Sequence, residues 1–283
     1  MERFGIRARK SLGQNFLIDG NIIRKIVDAA GVGCDDAVVE IGPGLGALTA
    51  TLARRAKSVI AVEIDRGLIP VLTETLAGAG QVRVFCRDAL KTDFDALVEE
   101  QTGGVYGKKG KPYKLLANLP YYITSPLIMH LLTNRFHLSR MVVMVQLEVA
   151  ARLAARPGTG DYGALTVAVN YFTSPALLFR VPRTVFYPVP AVDSAVVRLD
   201  ARPEPPVAVA DESLFFKIVR ASFGQRRKTI LNALAGAGLE LSREARLEAL
   251  DRAGIDAGRR GETLSLEEFA ALTAAVPGVL NRR

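Results

Sequence analysis

The sequence predicts an α/β protein: a mostly parallel sheet of seven strands with helices between them, followed by a smaller all-helical domain. Three observations carry this. From Ala37 onward short apolar runs alternate with helical patterns, the form of repeated βα units. Beyond the Pro-rich stretch Arg202-Pro-Glu-Pro-Pro206 only helical patterns remain. At 283 residues the chain is also long for one compact core, so residues 1–201 and 202–283 are expected as two domains.

Ala37-Val-Val-Glu-Ile-Gly42 reads as a first buried strand, and the helix after it carries Leu45, Leu48 and Leu52 on one face. Ser58–Glu63 and Val82–Cys86 form the second and third strands. A Gly/Lys-rich loop spans Gln101–Lys111, ahead of strands at Lys114–Ala117 and Met141–Val145. Leu165–Phe172 fits either a strand, from its β-branched residues, or a helix, from its spacing. Ala176–Val181 and Ala195–Leu199 read as an antiparallel pair at one end of the sheet. In the second domain, helices are expected at Asp211–Ser222, Arg226–Ala235, Arg243–Ala253 and from Ser265, where Ser265 and Glu268 form a capping box.

Composition narrows the partners. Apolar types make up 49% and charged types 23%, the balance of a soluble globular protein and not of a disordered one. Lys plus Arg number 37 against 29 Asp plus Glu, and the net charge of +8 suggests a polyanion, nucleic acid ahead of an acidic membrane. Two cysteines, Cys34 and Cys86, without a CxxC, allow neither a disulfide framework nor a zinc knuckle. His130 and His137 sit beside apolar helical residues and read as packed or surface side chains, so no metal site is expected. No apolar run spans a bilayer, and the basic N-terminus lacks a secretory h-region, so a cytoplasmic protein without membrane contact is expected.

Glu40-Ile-Gly-Pro-Gly-Leu-Gly46 ends the first strand and opens a helix. Gly42 and Gly44 leave out the Cβ atoms that would hold a ligand off the backbone. With Ala47 the spacing satisfies the relaxed dinucleotide fingerprint, and Glu63 ends the next strand about twenty residues on, where an acid accepts ribose hydroxyls. Dinucleotide and S-adenosylmethionine sites share both features, and these alone do not choose between them. Asp88 follows the third strand, where it could accept from an adenine amine, and the fourth ends in Asn118-Leu-Pro-Tyr121. The carboxyl ends of neighbouring parallel strands converge on one crevice, so Gly42, Glu63, Asp88 and Asn118 would face one ligand.

An exocyclic base amine is a poor nucleophile because its lone pair is delocalised into the ring. An enzyme that alkylates it must accept the amine hydrogens so that the lone pair points at the electrophile. The Asn118 amide oxygen is one acceptor and the Leu119 carbonyl a second, while Pro120 stiffens the turn and Tyr121 offers a face for an extruded base. A sulfonium donor brings an activated methyl, so positioning and electrostatics suffice.

These motifs resemble the ribosomal RNA adenine N6-dimethyltransferase family, in particular its bacterial small-subunit enzymes. The resemblance runs over nearly the whole chain and rests on Lys10-Ser-Leu-Gly-Gln-Asn-Phe-Leu17, Val39–Gly46, Glu63-Ile-Asp65, Asp88-Ala89, Asn118–Tyr121, Phe186-Tyr-Pro-Val-Pro-Ala-Val-Asp-Ser194 and Phe223–Thr229. It implies a class I, Rossmann-like methyltransferase fold using S-adenosylmethionine, released as S-adenosylhomocysteine, and no metal. It implies that Gln14, Asn15 and Leu17 close over the donor, that Gly42 and Gly44 pass its methionine part, that Glu63 and Ile64 meet the ribose, and that Asp88 and Ala89 read its adenine. Asn118 would lie at the transfer point, and Phe186 would stack on the target base or, on sequence grounds equally, serve as a core aromatic. It makes Leu165–Phe172 a helix. Ala191 stands where the family usually carries Lys.

The resemblance implies 16S ribosomal RNA, within the small subunit or its precursor, as partner, and two adjacent adenosines in the 3′-terminal hairpin as target. RNA contacts are expected at Arg7, Lys10, Lys108, Lys109, Arg183, Arg226, Arg227 and Lys228, with nothing demanding more than a monomer. The alternatives are a large-subunit adenine methyltransferase, an assembly factor acting by binding, and a nicotinamide-dependent oxidoreductase.

Overall fold

A computed structural model describes residues 8, 9 and 12–280. Seven strands form one sheet: β2 Ala37–Ile41, β3 Ser58–Glu63, β4 Val82–Cys86, β5 Tyr113–Asn118, β6 Leu138–Gln146, β7 Thr173–Val181 and β9 Ser194–Ala201. Two further short strands, β1 Phe16–Leu17 and β8 Phe186–Tyr187, pair antiparallel as a separate ribbon that the sequence does not announce. The sheet order is β4-β3-β2-β5-β6-β9-β7. The first five of these are joined in parallel, and β9 runs antiparallel to β6. The two last strands are neighbours at one end, as the sequence suggests, with β9 inserted inside β7.

Burial explains the strand sequences. Every residue of β2 is buried, so the strand reads as an unbroken apolar run with one exception, Glu40. Helices α1 Gly20–Ala30, α2 Ala47–Ala53, α3 Ile69–Thr75, α4 Phe94–Thr102, α5 Thr124–Thr133 and α6 Leu147–Leu153 connect or flank the strands. Helix α1 begins on Asp19, whose carboxylate accepts from the N–H groups of Asn21 and Ile22, and it ends on Gly31 at φ 59°. Its Ile23, Ile26 and Val27 pack into a core with Val38, Leu48, Leu52, Leu116 and Met144.

The chain divides into two compact units, residues 1–150 with 174–201, and residues 151–173 with 202–283. This division also has a break at 201/202, while residues 151–173 group with 202–283 and not with the contiguous 1–201 domain expected from the sequence. Helix α7, Ala164–Phe172, explains why. Tyr171 and Phe172 meet Phe215 and Phe216 of helix α8, Glu212–Gly224, with ring centroids 5.2–5.6 Å apart. An aromatic cluster of this kind can be buried only if both helices share a core.

The second unit continues with α9 Ile230–Ala233, α10 Arg243–Arg252, α11 Leu266–Ala275 and α12 Pro277–Leu280. The helix expected from Arg226 starts instead after Thr229: residues 225–228 form a turn. The turn residues carry no apolar face, whereas Ile230 and Leu231 are buried and nucleate the helix. The Ser265 capping box is present: the Ser265 N–H donates to Glu268 Oε2 at 2.8 Å, and the Glu268 N–H donates to Ser265 Oγ at 3.3 Å. Ser265→Ala removes the cap acceptor, and urea unfolding should report a loss of about 1 kcal/mol.

Candidate active site

The strand order reverses between β2 and β5: β3 and β4 lie on one side of β2, β6 on the far side of β5. Their following segments diverge, which leaves a crevice at the carboxyl ends of these two strands. A cavity of about 260 Å³ occupies it. Gln14, Asn15, Leu17, Gly42, Gly44, Glu63, Ile64, Asp88, Ala89, Asn118, Leu119, Pro120, Tyr121 and Phe186 all line it, so the structure brings together the residues singled out for donor and base.

The glycine turn has a steric reason. Gly44 sits at φ 59°, and a Cβ there would lie 2.9 Å from the Phe16 ring, so both conformation and space require glycine. Its N–H donates to Glu63 Oε2 at 3.3 Å, while Glu63 Oε1 accepts from the Asp65 N–H at 2.9 Å. Burial raises the Glu63 pKa, those two N–H groups pull it back, and the Asp65 charge raises it again. Asp88 Oδ1 accepts from the Leu90 N–H at 3.0 Å; Oδ2 makes no hydrogen bond among the described residues.

Asn118 ends β5, opposite Met144 in the register with β6. Its Nδ2 donates to the Asn15 carbonyl at 3.2 Å. A carbonyl only accepts, so the amide nitrogen must face it and Oδ1 faces the other way. Neither Asn118 Oδ1 nor the Leu119 carbonyl takes a hydrogen bond from the described residues, while the Leu119 N–H is held by the Met144 carbonyl at 3.1 Å. Two free acceptors thus sit on consecutive residues at the crevice, on a backbone anchored from the neighbouring strand.

The aromatic residues around the crevice differ in exposure. Phe186 is only 2% exposed and packs in the core with Ile23 and Val27, although one edge lines the cavity. Tyr121 is half-buried, its hydroxyl 3.4 Å from Ser194 Oγ. Tyr122, which sequence reasoning passed over, is 54% exposed, lines the cavity, and its ring would be 3.4 Å from a Cβ at Gly13.

The basic residues do not converge on the crevice. Lys108 and Lys109 lie in the loop that enters β5 at its amino end, the opposite edge of the sheet. Arg183 donates its guanidinium to the Ala191 carbonyl at 3.0 Å and its N–H to Asp193, which also pairs with Arg180 at 2.5 Å; these bonds lower the Asp193 pKa. Arg226 binds Glu262 at 3.0 Å and the Gly160 carbonyl at 2.7 Å, an internal tie of the second unit. Arg227 and Lys228 are exposed and without an acidic partner among the described residues. Arg7 and Lys10 lie outside the described residues.

A parallel sheet in this order, with an antiparallel strand next to its edge, is that of the class I, Rossmann-like methyltransferases. The chain superposes on a dimethyladenosine transferase from Plasmodium falciparum (TM-score 0.76, 28% identity, 93% of this chain and 98% of the other). It also superposes on the 23S rRNA methyltransferase ErmE (TM-score 0.67, 30% identity, 93% and 100%). Residues 5–274 match the family model for ribosomal RNA adenine dimethylase. Relatives called ribosomal RNA small subunit methyltransferase A are 65% identical in Pelotomaculum thermopropionicum (96% of this chain, 92% of the relative) and 59% identical in Moorella thermoacetica (95% and 92%). This chain belongs to the ribosomal RNA adenine dimethylase family, and it is an S-adenosylmethionine-dependent adenine dimethyltransferase acting on ribosomal RNA.

Besides Tyr122, a second cavity residue escaped the sequence reading. Glu40 is 1% exposed, its Oε2 has no hydrogen-bond partner, and it lines the cavity beneath the glycine turn. Burial pushes its pKa up to about 8, with the nearby Thr49 hydroxyl opposing and Glu63 adding to the rise. With its proton held, this buried carboxyl can donate a hydrogen bond to, or accept one from, a ligand group that enters the cavity. The only signal in the sequence was a lone acid inside an apolar strand.

In the unfolded chain Glu40 titrates near its ordinary value, so between about pH 4.5 and 8 only the folded state holds this proton. Stability from this group is therefore present at low pH and falls as pH rises through that window, by at most about 1.4 kcal/mol per unit. Glu40→Gln abolishes the term, so urea titrations at pH 5, 6, 7 and 8 should show the variant gaining steadily on the parent.

Proposed function

We propose that the protein transfers methyl groups to N6 of two adjacent adenosines in the 3′-terminal hairpin of 16S ribosomal RNA, late in assembly of the small subunit, acting in the cytoplasm as a monomer. The observation that carries the chemistry is the pair of free acceptors, Asn118 Oδ1 and the Leu119 carbonyl, at the carboxyl end of β5. The choice of subunit is supported by the names of the relatives at 59–65% identity, set against 30% for the 23S rRNA enzyme.

When bound, S-adenosylmethionine supplies a methyl group already activated on sulfur. Gly42 and Gly44 let the donor approach the backbone, Glu63 accepts from the ribose hydroxyls with Ile64 beside it, and Asp88 with Ala89 meets the adenine. Asn15 and Leu17 wall the cavity over it; Gln14 joins them but spends its amide on Asp65. Asn118 and Leu119 accept the two amine hydrogens, directing the nitrogen lone pair away from the ring and at the methyl group. Each accepted hydrogen bond strengthens as the nitrogen acquires positive charge, so the interaction favours the transition state over bound substrate. Pro120, at φ −58°, holds the turn, and Tyr121 stacks on the extruded base, with Phe186 lining the same cavity.

On the second unit, Arg227 and Lys228 contact RNA phosphates, and Lys108, Lys109 and Arg183 extend the basic surface on the first, as would Arg7 and Lys10. Aromatic side chains such as Tyr171, Phe215 and Phe269 are buried in the core of the second unit, which favours recognition of RNA shape and backbone there.

Incubation with labelled donor and unmethylated small or large subunits, followed by mass spectrometry of the RNA, should place two dimethyladenosines on small-subunit RNA. Label confined to large-subunit RNA overturns the assignment. Asn118→Ala should lower the transfer rate about 10²- to 10³-fold, the range for losing one preorganised acceptor, with subunit binding near that of the parent. Replacing Arg227 and Lys228 together by Ala should flatten the dependence of log affinity on log salt by about one per lost phosphate contact.

A further inference from the structure

Asp65, two residues past the strand that ends in Glu63, is 4% exposed, and its N–H and carboxylate together carry four polar contacts. Its N–H donates to Glu63 Oε1 at 2.9 Å, and its Oδ1 accepts from the Gly67 N–H at 2.9 Å. The other two reach across to the N-terminal part of the chain. Arg9 Nη1 lies 3.1 Å from Oδ1, and Gln14 Nε2 donates to Oδ2 at 2.8 Å. Gln14 Oε1 in turn accepts from the Arg9 N–H at 2.8 Å, so Arg9, Gln14 and Asp65 close a triangle.

The chain held by this triangle is the one that orients the proposed amine acceptor. Residues 12–17 wall the cavity, Phe16 packs against Gly44, and the Asn15 carbonyl takes the Asn118 amide N–H. Without the Asn15 carbonyl nothing among the described residues tells the two ends of the Asn118 amide apart, and a flipped amide would aim N–H groups at an amine that itself must donate. The segment that walls the cavity is therefore also the one that points Asn118 Oδ1 toward the base.

We propose that Asp65 is a positioning residue: by fixing Arg9 and Gln14 it holds the Asn15 carbonyl on the Asn118 amide, which couples retention of the donor to correct presentation of the amine acceptor. The inference rests on the assignment of Asn118 as that acceptor. A residue that only shaped the donor pocket would change donor affinity alone; one acting through Asn118 also changes the turnover of fully loaded enzyme.

Asp65→Asn keeps the side-chain shape and an oxygen for the Gly67 N–H but cannot accept from both Arg9 and Gln14. Dissociation of S-adenosylhomocysteine, followed by stopped flow, should quicken about tenfold, and kcat at saturating donor on unmethylated small subunits should fall about tenfold, the range for losing a buried charge-assisted hydrogen bond. Arg9→Gln and Gln14→Ala should shift both quantities the same way by less, and they carry the test if circular dichroism shows Asp65→Asn unfolded. An unchanged kcat with faster dissociation overturns the coupling, as does unchanged dissociation. If Asn118→Ala turns over at the parental rate, the acceptor assignment falls and this inference with it. If Asn118→Ala is inactive while Asp65→Asn matches the parent, only the positioning role falls.

Discussion

The reversal of strand order between β2 and β5 is the constraint on which the site depends. Two adjacent parallel strands whose chains leave in opposite directions cannot have their carboxyl ends covered by either one. The opening that results is bordered by whatever follows each strand, here the glycine turn after β2 and Asn118-Leu-Pro-Tyr121 after β5. The strands are buried over almost their whole length, and that rigidity fixes the backbone that carries residues 118 and 119, while the Asn15 carbonyl sets the orientation of the Asn118 amide. Methyl transfer needs alignment above all, and alignment is what the ends of buried central strands supply.

Burial then shapes the chemistry of the site. Glu40 and Glu63 are both largely out of water, and the Glu63 charge adds to the burial that raises the Glu40 pKa. The glycine spacing, which on its own also fits a dinucleotide, is resolved by Asn118-Leu-Pro-Tyr121 at the next strand end and by the family match. The same turn is tied to Glu63 by the Gly44 N–H, so the backbone shape and the charge distribution are set by one connected group of bonds.

The second unit shows how an apparently basic segment can be divided by function. Arg226 is held by Glu262 and two carbonyls, whereas its neighbours Arg227 and Lys228 are exposed. Three consecutive cations in sequence are therefore not three equivalent contacts. Likewise Lys114, the second residue of β5 and the last cation of the basic stretch that leads into it, binds Asp36 at 2.7 Å and the Gly31 carbonyl at 2.6 Å.

The sequence by itself determined the elements whose signals are local. Continuous apolar runs located β2, β3 and β5, because a strand buried on both faces has no polar side to show; the Ser265–Glu268 spacing located the start of α11; and glycine, acid and Asn-Leu-Pro-Tyr at strand ends located the crevice. Contacts between residues far apart in the chain were decided only in three dimensions. The β1–β8 ribbon is too short for any periodicity, and α1 precedes the point where the βα alternation becomes regular. Helix α7 belongs with the second unit because its Tyr171 and Phe172 meet Phe215 and Phe216 some forty residues on. Glu40 looked like an interruption in a strand until burial made it an unpaired acid, and Asp65 was one letter of a motif until Arg9 and Gln14 were found on it. Chemistry carried by residue type is legible in one dimension; orientation, ionisation and partnership depend on what the chain folds against.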